Sequence, residues 1–305
     1  MKQKRQISPM ERATTFGDIS YVVLTTAVLI FALLAMLIPI VHIIASSFSS
    51  AEAVSLGKVA FWPVEATFDG YREVFNTSSV IWGFRNSIVY TIFGTCINLV
   101  ITMLAAYPLS RKDLRCRNFV MVLFSFTMLF SGGMIPSYLL VSKLGLLDTI
   151  WAMVIPGAMS VYNVIVLRTY ISSSIPYELY ESASLEGCSD FRYLVQIVVP
   201  LSEPILAVLV LWYAVGHWNS YFNAMIYLRT YTKNPLQIIL RNMLILDEFT
   251  KGDFSSNVIA FEKAKRMRDL YKYSLIVVST VPVMMLYPVI QKHFVKGVML
   301  GSIKG

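Results

Sequence analysis

One short segment gathers Trp212, Tyr213, Gly216, His217, Trp218, Asn219, Ser220 and Asn223. Aromatic faces stack on the C–H surfaces of polyhydroxylated molecules, while amide and imidazole groups bond their hydroxyls. At helical spacing, 213, 217 and 220 share one stripe, and 212, 216, 219 and 223 the neighbouring one. The competing reading is an interfacial aromatic belt with helix–helix hydrogen bonds. Tyr162 and Asn163 are weaker candidates, and Phe130, Ser131 and Tyr138 weaker still; packing between helices accounts for them. None of this is bond-breaking chemistry. The three histidines (His42, His217, His293) are scattered, and the three cysteines (Cys96, Cys116, Cys188) form no C-x-x-C or Cys/His cluster. Neither a metal site nor a disulfide framework is expected. No Gly-x4-Gly-Lys-[Ser/Thr] occurs, and Gly57-Lys58 is followed by Val59, which lacks the hydroxyl that binds magnesium. The chain is expected to hold no cofactor.

A second candidate lies in the polar stretch 172–200. Pro176 suits a first helical turn. Glu178 and Glu181 follow where negative charge complements the helix dipole, and Gly187 suits the stop. The spacing predicts a helix of about ten residues, too short and too polar to cross a membrane. Two readings stand: a docking knob for a cytoplasmic partner, or a helix lying in the membrane interface.

The elements that must position these residues are apolar. The 305 residues are 56% apolar and 14% charged, and mean hydropathy is +0.62. An ordinary cytosolic globule and a disordered chain are both excluded. The net charge of +8 sits in short basic clusters beside apolar blocks, which suits lipid headgroups and not nucleic acid. Blocks at about 19–45, 87–109, 119–141, 149–169, 201–221 and 272–294 read as six membrane-spanning helices. The first is too long for a signal peptide. Strictly alternating segments, which a barrel needs, are absent. Prolines inside the blocks are tolerated as local kinks. The organisation expected is a tail 1–18, a six-span domain 19–294 and a tail 295–305.

Orientation follows from short loops. Lys2, Lys4, Arg5 and Arg12 precede span 1. Arg111, Lys112, Arg115 and Arg117 follow span 2, and Lys292, Lys296 and Lys304 accompany the end. Six spans put all three clusters on one side, the cytoplasm, and put Trp82 and Trp151 at the outer interface. Segment 222–271 disagrees: it should be external yet carries Arg229, Lys233, Arg241, Lys251, Lys263, Lys265, Arg266 and Arg268. Long segments obey the charge rule weakly.

The run Glu181-Ser182-Ala183-x3-Gly187-x9-Ile197-x-Val199-Pro200 resembles the EAA signature of permease subunits of bacterial binding-protein-dependent ABC importers. The family pattern is Glu-Ala-Ala-x3-Gly-x9-Ile-x-Leu-Pro, so this chain departs at Ser182 and Val199 and keeps the spacing. Residues 130–136, 143–149 and 294–305 are similar to the carbohydrate, maltose-permease-like branch. Gly216-His217-Trp218-Asn219-Ser220 is similar to its LplC/YtcP-like and alginate-importer subgroup, which serves complex oligosaccharides and polysaccharide fragments.

The resemblance implies an all-α type I ABC importer permease fold with a cytoplasmic coupling helix docked on an ATPase subunit. Glu178, Glu181, Ser182, Ala183 and Gly187 would make the contact, with Ile197 and Pro200 bracing the return into span 5. It implies a second permease subunit, distinct or identical, two ATPase subunits that bind ATP and Mg, an extracytoplasmic binding protein, membrane lipid and an oligosaccharide substrate. Trp212, Tyr213, His217, Trp218, Asn219 and Asn223 would line the sugar path. An ion-coupled carrier would need acids within the spans, where almost none occur. The aromatic loop 46–86 reads either as a cap that meets the binding protein or as a cover for the spans. The basic stretch 263–272 reads as a headgroup-facing surface, or as a contact for a polyanion.

Overall fold

The structure is a computed structural model that describes residues 16–249 and 258–301, with side chains over 17–244 and 266–288. The described residues are helical, with no strand among them. They fall into two units, one from residues up to Val74 with Phe254–Val277, the other from Phe75–Asp253 with Val278 onward.

The first unit opens with α1 (Phe16–Ser47), whose apolar side chains are largely exposed, as lipid-facing residues are. Near its end Ser47 Oγ lies 2.8 Å from Tyr71 Oη and Ser274 Oγ donates to the Ser47 carbonyl at 3.4 Å. The loop 46–86 carries α2 (Ala51–Ser55) and α3 (Asp69–Asn76). Phe48 packs on Phe68 and Tyr71, while Phe61 and Trp62 stay exposed. In the basic stretch, Arg266 meets Glu52 at 3.6 Å; the side chains of Lys263 and Lys265 lie outside the described residues, as do the N-terminal bases and Lys304.

The second unit is organised on α4 (Ser78–Ser110). Its buried face includes Gly83, Ser87, Gly94, Thr95, Asn98, Thr102 and Ala106, while Ile88, Ile92, Phe93, Val100 and Leu104 point outward. Small and polar inside, apolar outside is the arrangement lipid favours: small residues let helices approach, and polar groups find partners only in protein. Next come α5 (Arg117–Leu129), α6 (Met134–Lys143), α7 (Ile150–Val154), α8 (Val161–Ser174) and α9 (Tyr177–Leu185). They are followed by α10 (Asp190–Tyr193), a π turn Leu194–Val198, α11 (Val199–Leu201), α12 (Glu203–Trp218), α13 (Tyr221–Tyr227) and α14 (Leu236–Phe249); α15 (Val258–Gly301), the last described helix, belongs to the first unit up to Val277 and to the second from Val278. Helices α12, α8 and α14 pack on α4.

Among the described residues, three helices are long and apolar enough to cross a membrane, or up to five if each of two bent pairs forms one span. Predicted span 3 bends by 111° between α5 and α6, where Gly133 takes φ +86°. Predicted span 5 is preceded by an 82° bend: Pro200 and Pro204 lack N–H donors, and the ladder shifts to a π turn. Predicted span 4 is two helices, α7 and α8, separated at Pro156-Gly157.

Candidate functional site

Helix α9 is built as its residues suggest. Pro176 stands at the N-cap and Glu178 in the first turn. At the other end Gly187 adopts φ +76°. Its N–H donates to the Ser184 carbonyl at 3.0 Å, and that of Cys188 to the Ala183 carbonyl at 2.9 Å. This is a Schellman stop, whose left-handed position glycine fills without strain.

The helix has two faces. Ala183 is 8% exposed and belongs to the cluster that contains Tyr107, Tyr193, Leu194 and Val198. Its small side chain lets α9 approach its own chain. Glu178, Glu181, Ser182 and Gly187 are exposed, and Leu185 is 91% exposed. Ile197 is half-buried against the same cluster, and Pro200 is exposed in the bend before α12.

The seat of α9 comes from the linker after α4. The Arg111 guanidinium lies 3.1 Å from the Tyr180 ring centroid and pairs with Asp113 at 3.0 Å. Lys112 lies 5.2 Å from the Tyr177 ring centroid. Tyr180 meets Tyr193 edge-on at 5.3 Å. Burial works against the Arg111 charge, but hydrogen bonding with Asp113 and Tyr180 outweighs it and raises the Arg111 pKa above its ordinary value. The Arg111 hydrogen bond in turn lowers that of Asp113. Sequence reasoning used Arg111 and Lys112 only as orientation markers; two bases directly after a span, with tyrosines at 177, 180 and 193, were the available signal.

The aromatic segment divides differently from the predicted stripes. Helix α12 ends at Trp218, so Ser220 and Asn223 do not continue its faces. Tyr213, His217 and Trp218 are buried within the chain. Tyr213 Oη lies 2.6 Å from Thr102 Oγ1, and Trp218 Nε1 donates to the Ser279 carbonyl at 2.9 Å. Trp212, Gly216 and Asn219 form an exposed row. Trp212, 40% exposed, pairs at 5.6 Å with Tyr162, and Gln237 Nε2 donates to Asn219 Oδ1 at 3.4 Å. Asn223 is half-buried on α13, and Asn163 is buried in α8.

A polar knot lies at the end of α4 remote from α9. Asn86 Nδ2 donates to the Thr232 and Asn234 carbonyls at 2.7 and 3.1 Å. Asp148, at φ +57°, accepts from the N–H groups of Arg229 and Thr230 at 3.0 Å. It also accepts from Thr230 Oγ1 at 2.6 Å and Lys233 Nζ at 2.9 Å. The Thr230 hydroxyl, then Lys233, hold its carboxyl well below the usual carboxylate range.

No protein-family model matches the chain. Over 277 residues it is 42% identical to the polygalacturonan/rhamnogalacturonan transport system permease protein YtcP of Bacillus subtilis (strain 168), covering 91% of this chain and 95% of that protein. Over 271 residues it is 40% identical to protein LplC of the same organism, covering 88% of this chain and 90% of LplC. A solved chain from a bacterial ABC transporter that imports the acidic polysaccharide alginate superimposes with a TM-score of 0.83 at 32% identity, over 92% of this chain and 99% of that one. An all-helical bundle with membrane-crossing helices and this kinship define an ABC transporter permease. The chain belongs to the family of permease subunits of ABC importers, multi-pass membrane proteins that are not themselves catalysts.

Proposed function

We propose that this permease passes an acidic oligosaccharide across the plasma membrane, with α9 as its coupling helix. The observation that carries the coupling role is the division of α9: Tyr180 and Ala183 are seated, while Glu178, Glu181, Ser182 and Leu185 are free. A helix held firmly on one side, with an exposed leucine among carboxylates on the other, suits a groove on a cytoplasmic ATPase subunit. Glu181 then accepts a charge-assisted bond from it. Two such subunits bind ATP and Mg; their closure moves the coupling helices as rigid bodies, and the spans alternate between inward- and outward-open states.

Six crossings with both termini in the cytoplasm complete the reading, α7 and α8 together supplying the fourth. The Arg111–Tyr180 contact supports the orientation, since it places the basic linker and α9 at the same end of α4. A second permease subunit and an extracytoplasmic binding protein complete the assembly. For the cargo, the exposed Tyr162, Trp212 and Asn219 offer stacking and hydroxyl contacts, while Tyr213, His217 and Trp218 form the wall behind them. At the outer end Arg229 and Lys233 accompany the carboxylate of Asp148, and Arg85 lies over the Trp82 ring, an excess of positive charge that suits uronic acid units. Polygalacturonan and alginate, named for the relatives, are such polyanions.

Ser182→Cys in the assembled transporter tests the coupling role. Crosslinking to the ATPase subunit is expected; a residue 182 that labels freely and never crosslinks would sink it. The cargo is tested by titrating the cognate binding protein with oligogalacturonate and with a neutral oligosaccharide of equal length. Preference for the neutral sugar overturns the acidic assignment.

A further inference from the structure

A cleft opens between the C-terminal ends of α4 and α8 and the first turn of α9, away from the exposed face of that helix. It encloses about 440 Å³, and Tyr107, Arg111, Lys112, Arg117, Arg168 and Ser172 are among its walls. Four cations therefore converge on one small space. Arg111 is matched by Asp113 at 3.0 Å and Asp190 at 3.9 Å. The contacts of the other three are not with carboxylates: Lys112 faces the Tyr177 ring at 5.2 Å, Arg117 donates to the Arg111 carbonyl at 3.4 Å, and Arg168 donates to the Leu109 carbonyl at 2.9 Å. Carbonyls at helix ends carry only a partial negative charge and balance these cations in part.

No carboxylate is among the residues that line the cleft. Tyr107 is 7% exposed, and its hydroxyl is buried with no hydrogen-bond partner. One terminal nitrogen of Arg111, Nη1, also makes no hydrogen bond and has only the Asp190 carboxylate at 3.9 Å. Buried donors without acceptors are rare in folded proteins and point to a missing group. What would satisfy the tyrosine hydroxyl and the guanidinium, and balance three further cations, is a compact oxyanion with several acceptor oxygens. Phosphate has that form, and planar guanidinium forks match it.

We propose that this cleft binds a phosphate group, carried by an anionic phospholipid headgroup or by a free phosphate ion. Tyr107 and Arg111 donate from the floor, and Lys112, Arg117 and Arg168 supply the charge. Its place at the end of the membrane-crossing α4 is the depth at which headgroups lie, and basic pockets between membrane helices are suited to them. The bound anion would join the linker after α4 to the first turn of α9, so it would act on the seat of the helix and not on its exposed face.

The test uses the full chain purified with its co-expressed partners. Native mass spectrometry follows the lipid retained from vesicles of phosphatidylglycerol or phosphatidylcholine, and thermal unfolding follows the response to millimolar inorganic phosphate. Two variants are compared: the double substitution K112Q/R117Q, and Tyr107→Phe, which keeps the ring and removes one hydroxyl. Retention of phosphatidylglycerol over phosphatidylcholine, reduced about tenfold in K112Q/R117Q and severalfold in Tyr107→Phe, supports a lipid source. Stabilisation by inorganic phosphate, lost in both variants without any lipid preference, supports a free anion. Equal retention of both lipids with no phosphate response overturns the proposal. So does a preference unchanged in both variants, or loss of the ATPase subunits from the variants with anion binding intact, which would assign the cleft to a protein partner. Uptake is not the readout, so the outcome is independent of the cargo.

Discussion

A Cβ on Gly94 would collide with the imidazole ring of His217. Helices α4 and α12 thus meet where one residue has no side chain and the other presents a flat ring. The contact belongs to a buried face of α4 that includes Gly83, Ser87, Thr95, Asn98 and Thr102 beside larger residues such as Tyr90 and Met103. Gly94→Val should force the helices apart and cost about 1–3 kcal/mol, the usual scale of overpacking. Thermal unfolding of the purified transporter measures this, and His217→Ala in the same chain should recover most of the loss. A variant as stable as the parent would show that this helix pair is not closely packed.

Gly187 gives a second prediction. Its φ of +76° is strained for a β-branched residue and acceptable for asparagine. Gly187→Val should abolish uptake while the protein still inserts, and Gly187→Asn should retain most of it. A radiolabelled-sugar uptake assay with membrane quantification separates the two. Equal uptake by both variants would detach the stop of α9 from coupling.

The exposed row on α12 gives a third. Trp212→Ala and Asn219→Ala should each lower uptake severalfold while basal ATP hydrolysis stays at the parent level, since neither touches α9. Tyr213→Phe removes the hydroxyl that meets Thr102 at 2.6 Å and should instead lower stability by about 1 kcal/mol. Transport and unfolding measured on the same preparations distinguish lining residues from wall residues.

The fourth concerns Asp148. Its carboxyl titrates below the usual carboxylate range in the folded chain, so it contributes stability above the unfolded value of about 4 and loses it as pH falls from there. Asp148→Asn should cost about 1–2 kcal/mol near neutral pH, and the gap between parent and variant should narrow below about pH 4. Unfolding midpoints across that range test the sign; a gap that widens in acid would contradict it.

Much of this was readable in the residues. Length and apolarity marked α1 and α4, because a lipid-crossing helix must satisfy its own backbone. Pro176, Glu178 and Gly187 marked the ends of α9, since start and stop residues act locally. Burial was not readable: Tyr213 and Trp212 are adjacent and both aromatic, and only the approach of α4 decides which is enclosed. Nor does Ala183 declare its direction, as a small residue suits an inward and an outward contact equally. The stripe through Ser220 failed because a periodic reading carries no signal that α12 stops at Trp218. The split of span 4 was partly visible in Pro156-Gly157, a pair that membrane helices sometimes absorb and here do not.

The inside-out face of α4 bears on how the chain is made. Translation delivers α4 well before α8, α12 and α14, so for an interval Ser87, Thr95, Asn98 and Thr102 confront the lipid or the insertion machinery without the segments that later meet them, Leu236 for Ser87, Gly157 for Asn98 and Tyr213 for Thr102. The nascent protein thus carries an unsealed seam until α14 arrives. A ribosome that stalls before then would release a fragment with that seam open.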